Sequence, residues 1–314
     1  MNNILVTGGC GYVGTVLVAD LLEKGNLVTV IDTQWFGNEL SKNKNLKIFK
    51  MDVRKIDDFD FKQYNVIIHL ANIANDPAVD LNPTLSWEVN VLATQQLIDK
   101  SLRAGRVEHF IYASSGSVYG VKDEMSVTED LSLVPISAYN KTKMVAERVV
   151  LSYSDKMQVH CIRPATVCGW SPRMRLDVSV NMLTFQALKN KKITVFGGEQ
   201  TRPNIHINDM VNVYNHFIDN RALPSGCYNA GFENLKIIEI ANLIKEKIDC
   251  EIIVSESNDP RSYRQDSSKL INTNFKPKYS VLTAVREISD KFKQGLLLDN
   301  EKYYTVKWMK KLSL

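Results

Sequence analysis

Short apolar runs alternate with segments of helical spacing through the first half of the chain. The runs at residues 4–6 and 27–31 are too short for helices and lack polar alternation, so they predict strands buried on both faces. Between them, Val13, Val16 and Leu17 repeat at helical intervals. Strand–helix–strand order requires right-handed crossovers. The chain is therefore predicted to form an α/β fold built on a doubly wound parallel sheet.

The same patterns predict the individual elements. Strands are expected at residues 4–6, 27–31, 46–49, 65–70, 109–113 and 158–163, and helices at 12–24, about 83–104 and 138–153. After Pro164 the pattern becomes mixed. Helices are expected there near 177–190, 208–220 and 236–248, and extended segments at 193–196, 203–207 and 251–254. This second part predicts a smaller mixed α/β lobe packed against the carboxyl ends of the sheet.

Composition excludes several classes of protein. With 39 basic and 35 acidic residues, the net charge of +4 is too small for a nucleic-acid-binding surface. No run of 18 apolar residues is present, and the first residues carry no basic segment, so neither a membrane span nor a signal peptide is expected. The five cysteines are scattered without a Cys-x-x-Cys pair, and the five histidines show no ligand spacing. We expect a cytoplasmic protein without a metal site.

A glycine-rich turn joins the first strand to the first helix. Gly8, Gly11 and Gly14 lie in this turn, and Tyr12 and Val13 open the helix. Glycines between a strand and a helix let backbone N–H groups and the helix N-terminus approach a pyrophosphate. The position of the turn at the start of the alternating pattern predicts a dinucleotide site in a Rossmann-type sheet.

Acidic residues follow the next two strands. Asp32 stands 18 residues after Gly14, at the carboxyl end of the second strand. A carboxylate there accepts hydrogen bonds from both hydroxyls of the adenosine ribose and repels a 2′-phosphate, which favours NAD over NADP. Asp52 and Val53 follow the third strand and are candidates for contact with the adenine ring.

A tyrosine and a lysine share one face of a predicted helix. Tyr139 and Lys143 are four residues apart, the spacing that aligns side chains on a helix. A nearby lysine is expected to lower the pKa of the tyrosine, so that its phenolate can remove a proton from an alcohol. Ser115 follows the fifth strand, where its hydroxyl is positioned to hold the same oxygen.

The order of these motifs resembles the extended short-chain dehydrogenases/reductases. It is most similar to the NAD-dependent epimerase/dehydratase family of nucleotide-sugar enzymes, over residues 1–272. The resemblance implies a catalytic triad of Ser115, Tyr139 and Lys143, with Lys143 also on the nicotinamide ribose. It further implies cofactor-site residues at Leu70, Ala71, Asn90, Tyr139 and Pro164, and substrate-site residues at Asn75, Ser115, Asn181, Arg202 and Arg261.

The implied reaction is NAD-dependent oxidation at C4 of a nucleotide-linked hexose or heptose to a 4-keto sugar. The run Ser115-Gly116-Ser117 lacks the Asp-Glu pair of the sugar 4,6-dehydratases, so dehydration is disfavoured. Residues 74–77 and 171–177 resemble the branch serving capsule and lipopolysaccharide heptoses, whose nearest activity is a GDP-D-glycero-D-manno-heptose 4-dehydrogenase. The alternatives are a 4-epimerase, which returns the hydride to the opposite face, and a non-catalytic NAD-sensing scaffold protein.

The resemblance also suggests how the chain is divided and assembled. Residues 1–164 and 205–230 are assigned to an NAD-binding Rossmann domain, and 165–204 and 231–314 to the lobe that binds the nucleotide-diphosphate sugar. Residues 167–170 and 203–204 depart from the usual family pattern, which leaves the nucleotide and the sugar open. A homodimer is expected through the helices near 83–104 and 138–153, where Val145 and Val149 belong either to this face or to the core.

Overall fold

A computed structural model describes residues 1–256 and 262–314. Its strands are β1 Asn3–Thr7, β2 Leu27–Asp32, β3 Leu46–Lys50, β4 Val66–His69, β5 His109–Ala113, β6 Gln158–Pro164, β7 Thr166–Cys168, β8 Lys192–Phe196, β9 Thr201–His206, β10 Gly226–Ala230, β11 Glu233–Lys236 and β12 Glu251–Ser255. Its α-helices are α1 Tyr12–Glu23, α2 Asp76–Val79, α3 Pro83–Trp87, α4 Ala93–Arg103, α5 Ala138–Leu151, α6 Ser179–Asn190, α7 Ile207–Asp219, α8 Ile237–Lys245, α9 Ser268–Ile271, α10 Val281–Lys293 and α11 Thr305–Lys311. A π-helical turn spans Glu88–Leu92, and 3₁₀ turns span Gly116–Tyr119 and Glu301–Tyr303.

Seven strands form one parallel sheet in the order β10-β6-β5-β4-β1-β2-β3. The helices α1 and α7 cover one face, and α4 and α5 cover the other. This architecture confirms the predicted doubly wound α/β fold. The strand order reverses between β1 and β4, where Thr7 pairs with His69. A crevice opens at such a reversal because the connections leave to opposite faces of the sheet.

The remaining strands form two small sheets beside the carboxyl ends of the large one. One has the order β11-β9-β7 and the other pairs β12 with β8. The helices α6, α8 and α10 pack around a separate apolar core that includes Ile193, Ile240 and Val285. This part is the predicted smaller mixed lobe.

Some elements differ from the prediction. The long helix expected from about 83 to 104 contains the π-helical turn at Glu88–Leu92, and the helix expected from 177 begins at Ser179. Strand β10 was not predicted, because Gly226 and Asn229 interrupt its apolar residues. Its burial at the edge of the sheet, beside β6, supplies the stability that its sequence does not show.

The C-terminal segment returns to the large sheet. Met309 of α11 is buried in the core beneath α4 and α5, and the indole N–H of Trp308 donates to the backbone carbonyl of Trp35 at 2.6 Å. The backbone N–H of Thr305 donates to the Asp177 carboxylate at 3.0 Å. The last helix is therefore attached to a loop beside β2 and to a loop of the smaller lobe.

The described residues include no helix long and apolar enough to cross a membrane. Nor do residues 1–256 and 262–314 contain a group of three His, Cys, Asp or Glu side chains placed to hold a metal ion. All five cysteines are buried free thiols.

Candidate functional site

A cleft of about 1030 Å³ lies at the carboxyl ends of the parallel strands. It is lined by the residues that follow β1 to β6, and by parts of the smaller lobe and the C-terminal segment. All but three of the residues predicted for the site line this cleft: Gly8, Gly11, Tyr12, Val13, Gly14, Asp32, Asp52, Val53, Leu70, Ala71, Asn75, Ser115, Tyr139, Lys143, Pro164 and Arg202.

The glycine-rich turn forms one end of the cleft. Gly8 has a φ of +73°, a conformation that other residues adopt at a cost. A Cβ on Gly14 would lie 2.4 Å from the carbonyl oxygen of Gly8, so helix α1 approaches the turn as closely as only glycine allows. The N-terminus of α1 therefore lies at the cleft, and the N–H groups of its first turn can bind an anion there.

Asp32 lies at the end of β2, beside this turn. Its carboxylate accepts hydrogen bonds from the backbone N–H groups of Cys10, at 3.0 Å, and Gln34, at 2.7 Å. Burial raises the pKa of Asp32, and these two hydrogen bonds oppose the rise. They fix the orientation of the carboxylate toward the cleft. Asp52 lines the cleft further on, where its carboxylate also accepts hydrogen bonds from the Arg54 guanidinium.

Ser115, Tyr139 and Lys143 meet at the opposite end of the cleft. Ser115 caps the 3₁₀ turn after β5, and its hydroxyl lies 2.7 Å from that of Ser117. Tyr139 and Lys143 extend from the first turns of α5. The Lys143 ammonium donates to the carbonyl of Ala113 at 2.6 Å, which anchors it at the end of β5. The helix spacing and the strand end thus bring the predicted triad into one place.

The expected lowering of the tyrosine pKa is not found. Burial raises the pKa of Tyr139, while the nearby Ser115 hydroxyl and the positive charge of Arg175 oppose that rise. Burial also lowers the pKa of Lys143 to about 7, which weakens its charge at neutral pH. The prediction treated the lysine as fully charged, and it neglected the removal of both side chains from water.

Three predicted residues are not seen at the cleft. Asn90 is fully buried behind it, and its side chain holds the backbone of Ile73 through two hydrogen bonds. Asn181 is also fully buried, with its amide bonded to the Tyr12 hydroxyl and to the carbonyl of Arg175. Both residues support the walls of the cleft. Arg261 lies outside the described residues.

Several charged and aromatic residues of the cleft were not assigned to the site from the sequence. Arg173, Arg175 and Asp177 come from the loop before α6, and Phe36 comes from the loop after β2. Phe36 stacks under the Arg173 guanidinium at 4.1 Å, and burial lowers the pKa of Arg173 to about 10. A pair of arginines two residues apart in a loop was the available signal, since arginine is a costly residue to bury unless it has a partner.

Comparison with known proteins agrees with this geometry. A model of the NAD dependent epimerase/dehydratase family matches residues 4–231. The chain belongs to this family. It is 29% identical to UDP-glucuronic acid decarboxylase 1 of Arabidopsis thaliana, a match that covers 95% of this chain and 71% of that protein. It is 25% identical to UDP-glucose 4-epimerase of Lactobacillus helveticus, over 88% of this chain and 92% of that one.

A solved structure is similar over nearly the whole chain. MoeE5 in complex with UDP-glucuronic acid and NAD is 25% identical and superposes with a TM-score of 0.82, covering 94% of this chain and 100% of that one. Family membership confirms the predicted family, the enzyme class and NAD as the cofactor. It leaves the non-catalytic scaffold protein without support.

The residues of the cleft fit the cofactor of the epimerase/dehydratase family. Gly8, Gly11 and Gly14 place backbone without side chains at the cleft, where a pyrophosphate can approach it, and Asp32 is oriented by two backbone N–H groups. At the other end, Lys143 offers a buried cation next to Tyr139. These residues would hold the diphosphate, the adenosine ribose and the nicotinamide ribose, in that order.

Replacing Gly14 by Ala is expected to lower the free energy of unfolding by about 1–3 kcal/mol and to weaken NAD binding at least tenfold. The added Cβ would lie 2.4 Å from Gly8 O and 2.7 Å from Gly9 Cα, both backbone atoms, so the turn must move. Urea denaturation and titration with NAD measure the two effects. Gly11→Ala is the matched control, because its Cβ would lie 3.1 Å from Gly8 O and should cost less. Equal effects of the two variants would contradict the packing argument.

Proposed function

We propose that the enzyme oxidises the C4 hydroxyl of a hexose or heptose linked to a nucleoside diphosphate, giving a 4-keto sugar. The observation that carries this proposal is the meeting of Ser115, Tyr139 and Lys143 in the same cleft as the glycine turn and Asp32. When bound, NAD supplies the acceptor for the hydride that leaves C4. The relatives described above, by their names, act on UDP-sugars, which supports the substrate class.

Each residue of the triad has a separate task. The Tyr139 phenolate oxygen takes up the proton of the C4 hydroxyl as the hydride leaves C4, and the Ser115 hydroxyl holds the same substrate oxygen in place. The carbonyl of Ala113 holds the Lys143 ammonium in place. When Lys143 is protonated, its positive charge favours the ionised form of Tyr139. Arg202 lines the cleft from β9 and is suited to the diphosphate, because a guanidinium binds phosphate oxygens in pairs.

Dehydration is disfavoured by the space around the 3₁₀ turn. The residue after Ser115 is Gly116, and a Cβ there would lie 3.1 Å from the carbonyl of Pro164 and 3.2 Å from the amide nitrogen of Gln265. A side chain at this position would therefore require the Pro164 carbonyl or the buried Gln265 side chain to shift. Elimination of water needs an acid and a base beside the sugar, and this turn supplies neither.

The finer proposal is a dehydrogenase of the GDP-manno-heptose type, in which the 4-keto sugar leaves the enzyme. It is supported by the two segments that resemble the heptose branch, since Asn75, Asp76, Arg173 and Arg175 from these segments all line the cleft. Such an enzyme would serve the biosynthesis of capsule or lipopolysaccharide sugars. The second candidate is a 4-epimerase, favoured by the similarity to the Lactobacillus helveticus enzyme.

A panel of UDP-, GDP-, CDP- and dTDP-sugars tests these proposals. Products are identified by mass spectrometry and NMR after incubation with the enzyme and NAD. A mass loss of two supports the dehydrogenase, and an unchanged mass with inverted C4 supports the epimerase. Loss of water would contradict the argument from Gly116. Loss of CO₂ from a uronate would indicate C4 oxidation followed by breakdown of the β-keto acid. No change in any sugar would overturn C4 oxidation.

We also propose a homodimer formed through the helices on one face of the sheet. The helices α3, α4 and α5 pack against one another, and their outer surface carries Trp87 and Leu92, exposed at 38% and 63%. Val145 and Val149 of α5 are half-buried against the core. Large apolar side chains at such exposure favour contact with a second apolar surface.

Replacing Leu92 by Glu is expected to convert the dimer to a monomer at micromolar concentration, because two buried carboxylates would face each other across the twofold axis. Light scattering coupled to gel filtration measures the mass. Leu298→Glu is the control, since Leu298 is exposed at 66% outside these helices and should leave the mass unchanged. A variant at Leu92 with the same mass as the wild type would place the interface elsewhere.

A further inference from the structure

Arg175 is held in the cleft by its backbone and by its side chain. Its carbonyl accepts a hydrogen bond from the Asn181 amide at 3.0 Å. Its Nε donates to the Asp177 carboxylate at 2.8 Å, and Asp177 in turn accepts from the backbone N–H of Thr305 at 3.0 Å. The guanidinium is therefore fixed before any ligand arrives, which lowers the entropic cost of binding one.

Most of the donor capacity of Arg175 is unused. A guanidinium has five N–H donors, and only the one on Nε has a hydrogen-bond partner among residues 1–256 and 262–314. The side chain is only 16% exposed, so water has limited access to the two terminal nitrogens. A charged group in this state gains from a ligand that brings acceptor oxygens.

The position of Arg175 indicates which part of a ligand it meets. Arg175 and Tyr139 both line the cleft and lie close enough for their charges to interact, and the Tyr12 hydroxyl is also within this range of Arg175. Arg173, two residues earlier, interacts with Asp32 at the cofactor end. The loop thus places one arginine toward the adenosine half of the cofactor and the other toward the reacting sugar.

We propose that the terminal nitrogens of Arg175 bind an oxygen on the sugar close to the C4 hydroxyl that meets Tyr139. This inference rests on the proposed function and adds a residue that determines specificity. The oxygen is either the C3 hydroxyl or an oxygen on C6, and both present the same acceptor chemistry. A sugar that lacks this oxygen would leave the guanidinium without its partner and would bind poorly.

Asp177 acts as a positioning residue for this contact. It holds Nε of Arg175, and it is itself held by the first residue of α11, so the C-terminal segment contributes to the sugar site indirectly. Asp177→Asn keeps the size of the side chain but removes the charge that fixes the guanidinium. We expect this variant to raise KM more than it lowers kcat, because the substrate contact is loosened while Tyr139 is unchanged.

Deoxygenated sugars test the proposal. UDP-glucose and GDP-mannose are compared with their 3-deoxy and 6-deoxy forms, both by NADH formation and by calorimetric binding to the NAD-loaded enzyme. For the wild type, loss of the recognised oxygen should weaken kcat/KM or binding about tenfold to hundredfold. In Arg175→Met this discrimination should disappear, while Arg175→Lys should retain part of it. Arg106→Met is the control, because Arg106 is exposed outside the cleft.

The outcomes separate this proposal from the proposed function. Calorimetric binding tests the role of Arg175 even where a probe sugar is not oxidised. If the enzyme discriminates between sugars in binding but shows no turnover, only the proposed oxidation is overturned. If Arg175→Met weakens all forms of a sugar equally, or lowers the melting temperature without changing discrimination, Arg175 is structural and the inference is overturned. The inference is also overturned if Arg175→Met weakens only the binding of NAD, or if the wild type binds none of the probe sugars.

Discussion

Replacing Tyr139 by Phe is expected to lower kcat about a thousandfold while NAD binding stays within twofold of the wild type. The substitution removes only the phenol oxygen, which in its ionised form accepts the substrate proton. Tyr139 lies in the first turn of α5, and Ser137 caps that helix by accepting from Asn140 N at 3.1 Å. The fold of the site should therefore persist. Initial rates and a titration with NAD measure the two quantities.

The pH dependence of the rate checks the role of the same hydroxyl. Burial raises the pKa of Tyr139 above its ordinary value, so the ionised form accumulates in the alkaline range, and the wild-type rate should increase with pH there. The Tyr139→Phe variant should lose this increase. Ser115→Ala is a useful comparison, because it should lower kcat less and retain the pH dependence. A Tyr139→Phe enzyme with full activity would remove Tyr139 from the mechanism.

The positions of the cofactor residues were predictable because they depend on local sequence. Gly8 and Asp32 each follow a short apolar strand, and parallel strands deliver their carboxyl ends to one edge of the sheet. Tyr139 and Lys143 are four residues apart, so they lie on the same face of any helix that contains both. Such local rules needed no knowledge of how distant segments pack.

The features that the sequence did not predict depend on contacts between distant segments. The amide of Asn181, a predicted substrate-site residue, donates to the Tyr12 hydroxyl, 169 positions away in the chain. The role of Asp177 depends on Thr305, which is 128 residues further on. The protonation of Tyr139 and Lys143 depends on burial by several elements at once. Spacing in one sequence contains no signal for these contacts.

A buried ion pair connects the catalytic end of the cleft to the core. Glu147 of α5 and Arg163 of β6 are exposed at only 0% and 2%, and the guanidinium donates to both carboxylate oxygens, at 2.9 and 2.7 Å. Ser114, which precedes Ser115, donates to the same carboxylate at 2.8 Å. Arg163 also donates to the Tyr119 hydroxyl at 2.6 Å. The pair therefore ties β5, β6, α5 and the 3₁₀ turn together.

Replacing Glu147 by Gln is expected to lower the free energy of unfolding by about 3–5 kcal/mol, since the Arg163 charge would remain buried without a counter-charge. Urea denaturation at neutral pH measures the change. Asp99→Asn is the control, because it breaks the exposed i, i+4 pair with Arg103, at 34% and 77% exposure, and should cost less than about 1 kcal/mol. A loss at Glu147 as small as the control loss would mean that water reaches the pair.

The double variant Glu147→Leu with Arg163→Met distinguishes two roles of the ion pair, one in stability and one in the geometry of the active site. If the pair matters because a lone buried charge is costly, removing both charges should cost less than removing Glu147 alone, as a double-mutant cycle would show. If the geometry itself is needed, kcat should fall in the double variant even where the protein is fully folded, since Ser114 loses its acceptor beside Ser115. We expect both results. Burial of the charges determines the free energy of unfolding, whereas the hydrogen bond of Ser114 determines the position of the Ser115 hydroxyl. Full activity in a double variant of restored stability would contradict the expected fall in kcat. Equal losses of unfolding free energy in the single and double variants would contradict the argument from the lone buried charge.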